Sequence, residues 1–144
     1  TAQAIEEADA VVIGPGGLYT SVVPNLLVDG IRDAILNSKA KKIYVCNTMT
    51  KRGESDGFKA SDFIREVQAY LGSDLVPESV IVNSETLPKK LIQRYAGEGS
   101  APVVFDEDEC LALVPVVLAR PILALGNFVR HDPQKLARAI LELV

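Results

Sequence analysis

Tryptophan is absent from this 144-residue sequence, and histidine and methionine occur once each. The two cysteines, Cys46 and Cys110, lie far apart and form no Cys-x-x-Cys pair. That spacing favours reduced thiols over a disulfide framework or a zinc site. No apolar run approaches the roughly 18 residues that a membrane-spanning helix needs, and the first residues lack the basic and apolar regions of a signal peptide. We therefore expect a cytoplasmic protein that does not bind a membrane.

Neither sign of charge dominates the composition. The 15 Lys and Arg residues are opposed by 19 Asp and Glu residues, which leaves a formal net charge of −4. This balance gives no general attraction to nucleic acid, so an anion must be bound at a local site. With 48% hydrophobic residues the chain is long enough for one core, and we expect a single domain over residues 1–144. Because the sequence begins at Thr1 without Met, we also expect it to be a portion of a longer protein.

Short runs rich in Val and Ile alternate with segments of helical spacing. The runs that fit buried strands are residues 10–13, 42–46, 79–82, 102–105 and 116–119. The helical segments are residues 26–35, 63–71, 87–92 and 132–143, and Asp132 and Pro133 cap and begin the last one. This alternation predicts an α/β fold with a mostly parallel sheet and helices on both faces. Ligands of such sheets usually bind beyond the carboxyl ends of the strands.

The loop after the first predicted strand, residues 14–21, is rich in glycine. Glycines let a ligand approach the backbone, and a following helix offers unpaired N–H groups to an anion. The spacing is not Gly-x-Gly-x-x-Gly, because Tyr19 replaces the third glycine, and it lacks the Gly-Lys pair of a Walker A loop. A phosphate-binding loop and a tight strand-to-helix turn both remain open. The candidate ligand-binding residues here are Gly14, Gly16, Gly17, Thr20, Ser21 and Asn25.

The loop after the second predicted strand, residues 47–58, is long and polar, which is typical of a functional loop. Asn47 stands at the strand end, where it can hydrogen-bond a ligand, and Lys51 or Arg52 can meet a phosphate. The alternative is an Asx turn at Asn47 followed by solvated basic side chains. Either Ser61 or Asp62 is expected to cap the next helix.

The last part of the chain holds Arg130, just ahead of the final predicted helix, where it can grip phosphate or carboxylate with two hydrogen bonds. His131 is the single histidine, and no nucleophile motif accompanies it, which favours a structural or solvated ring. Tyr95 either stacks on a base or sugar or lies at the edge of the core. The acidic run at residues 106–109 fits the first turn of a helix better than a metal site. We assign no catalytic residue and no metal ligand.

Four motifs in order are ADAVVIGPGGLYTS at residues 8–21, YVCNTMT at 44–50, GESDG at 53–57 and RHDP at 130–133. Together they resemble the CofD-like family, in particular its YvcK branch of bacterial gluconeogenesis factors. The resemblance runs through essentially the whole chain and corresponds to the C-terminal half of that family's proteins. It implies a Rossmann-like three-layer fold whose glycine-rich nucleotide loop lies in the other half. The LYTS and RHDP motifs favour the YvcK branch over the CofD enzymes.

The resemblance implies one of two functions. A YvcK-like protein is a non-enzymatic regulator that binds a nucleotide sugar such as UDP-N-acetylglucosamine and affects central carbon metabolism and cell shape. A CofD-like enzyme transfers a phospholactyl group from a guanosine-linked donor to the deazaflavin Fo in coenzyme F420 synthesis, with magnesium. Carried over by position, the resemblance places residues 14–21 and Asn47 in the shared cleft and makes Tyr95 and Arg130 nucleotide-sugar contacts. A sheet without its other half exposes an edge, so we expect a homo-oligomer.

Overall fold

The computed structural model describes residues 1–144, except for the side chain of Leu125. Within this range, four strands form one parallel sheet and two more form an antiparallel hairpin. The strands are β1 Ala10–Ile13, β2 Lys41–Val45, β3 Ser79–Asn83, β4 Val116–Arg120, β5 Leu123–Leu125 and β6 Val129–His131. The sheet has the order β1-β2-β3-β4, so that β1 and β4 are its edges and each crossover adds the next strand on the same side.

Helices precede, separate and follow the strands. They are α1 Ala2–Glu6, α2 Val23–Leu26, α3 Ile31–Asn37, α4 Ala60–Leu71, α5 Lys89–Gly97, α6 Glu107–Leu113 and α7 Pro133–Leu141, and a π-helical turn at Leu18–Val22 leads into α2. Of the helices described, none combines the length and the apolar character needed to cross a membrane. The expected α/β fold with a parallel sheet is confirmed.

The two faces of the sheet carry separate cores, because successive strand side chains point to opposite faces. On one face, Tyr44 of β2 packs in a large cluster with Phe63 and Ile64 of α4, and all three are fully buried. On the other face, Ile43 packs in a smaller cluster with Leu136 of α7. Helices therefore cover both faces, as the sequence pattern predicted.

The start of α7 follows the cap that the sequence indicated, whereas the N-cap of α4 is Lys59 rather than Ser61 or Asp62. In α7, Asp132 accepts hydrogen bonds from the backbone N–H groups of Gln134 and Lys135. In α4, Asp62 lies in the first turn and accepts the backbone N–H of Lys59 at 2.9 Å. Such acceptors satisfy N–H groups that have no partner inside the helix.

The prediction of a strand at residues 102–105 is wrong. The segment forms two isolated bridges instead, from Pro102 to Met49 and from Val104 to Lys59. It is apolar and extended, but it crosses the second loop and the start of α4 rather than lying beside a strand of the sheet. The β5–β6 hairpin, in contrast, has strands of three residues each, which are too short to give a periodic signal.

Candidate functional site

A polar cleft of about 400 Å³ lies beyond the carboxyl ends of β1 and β2. Its walls come from the glycine loop (residues 14–21), the second loop (residues 47–58), the end of α5 and strand β6. Among the lining residues are Gly16, Gly17, Asn47, Lys51, Tyr95 and His131. This is the edge of a parallel sheet at which ligands most often bind.

The glycine loop packs closely against β2 and against its own next turn. Gly14 has a φ of 83°, a left-handed conformation that glycine adopts without strain. A Cβ on Gly14 would lie 3.1 Å from the backbone oxygen of Val45, and one on Gly17 would collide with Thr20 Oγ1. The backbone N–H of Ser21 donates to the Gly17 carbonyl at 2.8 Å. Locally the loop is a tight strand-to-helix turn, and phosphate binding by it stays a prediction.

Asn47 joins the glycine loop to the core. Its Nδ2 donates to the backbone oxygen of Gly16 at 2.9 Å, and its Oδ1 accepts the hydroxyl of Tyr44 at 3.3 Å. These bonds link Asn47 to a different loop and to the strand before it, which differs from the expected alternative of an Asx turn. The polar side chain at the strand end thus connects two walls of the cleft.

The second loop is fixed to the segment that follows α5. The N–H of Thr50 donates to the Ala101 carbonyl at 2.8 Å, and Thr50 Oγ1 accepts the Ala101 N–H at 2.9 Å. Within the loop, the buried Ser55 hydroxyl oxygen accepts the N–H of Lys51 at 2.9 Å. These bonds make the second loop a well-defined wall of the cleft.

Tyr95, near the end of α5, holds β6 in place. Its hydroxyl oxygen accepts the N–H of Val129 at 3.0 Å, which leaves the hydroxyl hydrogen free to be donated to a ligand. Side chains alternate along β6, so Val129 and His131 line the cleft while Arg130 lies on the other side of the strand. There the Arg130 guanidinium is 5.5 Å from the centre of the Phe128 ring. In this structure Arg130 therefore lies outside the cleft.

His131 lines the cleft, although sequence reasoning favoured a structural or solvated ring. Its Nε2 is buried and has no hydrogen-bond partner among the residues described. Burial lowers the pKa of the imidazole below its ordinary value of 6.5, which keeps the ring neutral at pH 7. In a strand, residues two apart such as Val129 and His131 point to the same face. This spacing could have placed His131 in the cleft, but only if the three-residue strand β6 had been recognised in the sequence.

Lys51 supplies the positive charge of the cleft, since no other Lys or Arg lines it in the described part of the chain. Its Nζ lies 2.5 Å from Oε1 of Glu54, which also lines the cleft. The Lys51 side chain is 57% exposed and that of Glu54 is 22% exposed. An ion pair open to solvent contributes little net stability, so an anionic ligand can take the place of Glu54 at low cost.

The other predicted site residues are distributed around this cleft. Gly14, Ser21 and Asn25 line a second, more apolar groove of about 430 Å³ beside β1. Asn25 Nδ2 donates to the backbone oxygen of Ser21 at 2.6 Å, and Thr20 packs back against Gly17. The structure brings together in the polar cleft Gly16, Gly17, Asn47 and Tyr95.

The acidic run at residues 106–109 lies at the start of α6 and contacts the start of α4. No group of three or more His, Cys, Asp or Glu side chains in the described part of the chain is placed to hold a metal ion. Instead, Asp106 accepts the backbone N–H of Ser61 at 3.0 Å and the Ser61 hydroxyl at 2.5 Å. Partial burial raises the pKa of Asp106, whereas these hydrogen bonds lower it. The lowering is the greater, so the net pKa lies below the ordinary value. The run begins α6, as expected, and its first residue, Asp106, also accepts hydrogen bonds from the first turn of α4.

Comparison with known families gives a match over most of the chain. The model of the family described as 2-phospho-L-lactate transferase CofD matches residues 1–123. The chain belongs to this family. Proteins with the name gluconeogenesis factor are also similar to it: one from Halalkalibacterium halodurans is 43% identical over 141 residues, and one from Bacillus subtilis is 37% identical over 145 residues.

The matched region is the C-terminal half of those relatives. The alignment covers 97% of this chain and 44% of the Halalkalibacterium protein, and 100% of this chain and 45% of the Bacillus subtilis protein. A crystal structure of a UPF0052-family protein from Bacillus halodurans superposes with a TM-score of 0.92 at 40% identity, covering 97% of this chain and 45% of that one. The chain therefore spans less than half the length of these relatives.

Proposed function

We propose that this chain is part of a regulatory nucleotide-sugar-binding protein of the gluconeogenesis-factor type, which affects central carbon metabolism and cell shape. The observation that carries the proposal is the polar cleft at the carboxyl ends of β1 and β2, where the glycine loop, the second loop, Tyr95 and His131 converge. Its volume of about 400 Å³ lies in the range of small-molecule sites. The names of the relatives support the regulatory part of the proposal.

The chemistry of the walls fits the parts of a nucleotide sugar. Backbone N–H groups of the glycine loop and the Lys51 ammonium suit a diphosphate, and the Tyr95 hydroxyl suits a sugar or base oxygen. A diphosphate carries charge for more than one cation. We therefore retain Arg130 as a proposed second contact, which requires its guanidinium to leave the Phe128 ring and turn toward the cleft.

The test is thermal stabilisation by UDP-N-acetylglucosamine. A ligand at a hundredfold excess over its dissociation constant stabilises the folded state by about 2.7 kcal/mol. We expect this shift in the unsubstituted protein and a smaller one in the variants Lys51→Met and Arg130→Ala. Arg138→Ala is the matched control, because Arg138 is exposed on α7 and lies away from the cleft. Absence of a shift in the unsubstituted protein, or equal shifts in all variants, refutes the assignment.

A second candidate is a phospholactyl transferase, which the description of the matching family model favours. In such an enzyme, the acidic side chains of the second loop that are candidates for holding magnesium are Glu54 and Asp56. Glu54 contacts Lys51, and Asp56 accepts the N–H of Gly53 at 2.6 Å, so neither carboxylate is free as it stands. Formation of product from Fo and a guanosine-linked donor, dependent on magnesium, would favour this candidate over the regulatory one.

We also propose that the protein is cytoplasmic and forms a homo-oligomer. Cys46 and Cys110 are both free thiols, which fits a reducing compartment. The edge strand β1 pairs on one side, with β2, and Val12 in that strand is 38% exposed. An exposed apolar edge strand is a surface on which a second chain can add.

A further inference from the structure

We infer that Tyr44 and Asn47 form a relay that positions the glycine loop for ligand binding, with Asn47 as a positioning residue rather than a ligand contact. Tyr44 lies fully buried in β2, and Asn47 lies at the floor of the cleft. The relay therefore connects the core of the sheet to the loop. The expected effect of the relay on ligand affinity rests on the proposed function. Its effect on the position of the glycine loop does not.

The chemistry of the partners fixes how the Asn47 amide is turned. A backbone carbonyl can only accept a hydrogen bond, so the atom 2.9 Å from the Gly16 oxygen must be the Nδ2 amino group. Oδ1 then faces the Tyr44 hydroxyl at 3.3 Å. Burial raises the pKa of Tyr44 above its ordinary value, so the hydroxyl keeps its proton and donates it to Oδ1. Two hydrogen bonds in series run from the core to the loop.

Holding the Gly16 carbonyl also fixes the N–H of Gly17. Both groups belong to one planar trans peptide, in which the C=O and the N–H point in opposite directions. With the carbonyl turned toward Asn47, the Gly17 N–H faces away from it and has no hydrogen-bond partner among the residues described. Both glycines line the cleft. The relay thus presents a fixed backbone donor of the kind that binds a phosphate oxygen.

A second contact anchors the other end of the loop. The Tyr19 hydroxyl donates to Glu66 Oε2 of α4 at 2.9 Å, and its ring packs edge-on against Tyr70 at a centroid distance of 6.4 Å. Loss of the relay therefore leaves the loop attached at Tyr19. We expect the peptide between Gly16 and Gly17 to become mobile while the fold remains intact.

The experiment measures amide hydrogen exchange at Ser21 and Val22 without ligand, since both N–H groups donate to the Gly17 carbonyl. Loss of one hydrogen bond predicts exchange about two- to tenfold faster in Tyr44→Phe, and at least as fast in Asn47→Ala, with no change in the amides of β3. Tyr70→Phe is the matched control, because it removes a tyrosine hydroxyl on α4 while keeping the ring that packs against Tyr19, and it does not touch Asn47.

Unchanged exchange at Ser21 and Val22 overturns the relay, whatever the ligand. Equal acceleration across β3 overturns it too, because the variants would then act through global stability. The dissociation constant for UDP-N-acetylglucosamine is measured on the same variants and is expected to rise by the same factor. If the loop amides accelerate but the unsubstituted protein fails to bind this nucleotide sugar, the relay stands and the proposed function falls.

Discussion

Replacing Asp106 by alanine removes the acceptor that joins the start of α6 to the start of α4. Its carboxylate accepts both the backbone N–H and the hydroxyl of Ser61, a residue that is 1% exposed. After the substitution the Ser61 N–H is buried without that acceptor, which costs about 1–3 kcal/mol. The Ser61 hydroxyl also loses its hydrogen bond to the carboxylate, but its oxygen still accepts one from Arg65 at 3.1 Å. The loss of the hydroxyl's bond therefore costs only about 1 kcal/mol more.

The free energy of unfolding should therefore fall by about 2–4 kcal/mol in Asp106→Ala. For a domain of this size that corresponds to a melting temperature lower by roughly 6–12 °C. The assay is urea unfolding followed by circular dichroism, together with a thermal scan. Asp108→Ala is the matched control: Asp108 is an exposed carboxylate in the first turn of α6, and its loss should cost about 0.3–1 kcal/mol through the helix dipole.

The pH dependence gives an independent check of the same contact. Because the net pKa of Asp106 is below its ordinary value of 3.8, its stabilising effect is present above that value and disappears as the pH falls through the lower, folded-state pKa. The difference between Asp106→Ala and the unsubstituted protein should therefore shrink in strong acid. A penalty equal to that of Asp108→Ala, or one that persists undiminished in acid, would refute this account of the α4–α6 contact.

Three further outcomes are expected. Burial lowers the pKa of His131 below 6.5, so the free energy of unfolding should decrease as the pH falls from about 6.5 through the folded-state pKa. Urea unfolding at pH 7.5 and at pH 5.5 should show this decrease in the unsubstituted protein and not in His131→Gln. Asp132→Ala removes the cap of α7 and should lower the free energy of unfolding by about 1 kcal/mol, measured by urea unfolding against the exposed control Arg138→Ala. Light scattering should give a dimer or higher oligomer that Val12→Lys reduces to a monomer; a monomeric unsubstituted protein contradicts that expectation.

Much of the fold could be predicted because its signals are local. The β2 and β3 runs are buried on both faces and are continuously apolar over most of their length, and Asp132 with Pro133 marks the start of α7 without any tertiary information. The segment at residues 102–105 carries the same apolar signal as a strand. Its wrong assignment follows from the fact that pairing partners are set by the three-dimensional path of the chain and not by hydrophobicity alone.

The candidate site divides in the same way. The glycine loop and Asn47 were recognisable because they directly follow predicted strands, and the carboxyl ends of parallel strands meet at one edge. The positions of Arg130 and His131 were not recognisable, because adjacent residues of a strand face opposite sides and the β5–β6 hairpin left no periodic signal. The hydrogen bond from the Val129 N–H to the Tyr95 hydroxyl, which joins β6 to α5 beside the cleft, is likewise a contact between residues distant in sequence.

The amino-acid sequence by itself determined the alternation of strands and helices, the parallel sheet and the loops in which a ligand site was to be sought. These properties follow from the spacing of apolar and turn residues, which can be read from each segment of the sequence without knowing the rest of the structure. Only the tertiary structure decided that Asn47 holds Gly16, that Asp106 serves α4 as well as α6, and that Lys51 rather than Arg130 lines the cleft. Each of these depends on residues distant in sequence, and hydrogen-bond geometry over a few ångströms is fixed only when the packed core brings them together.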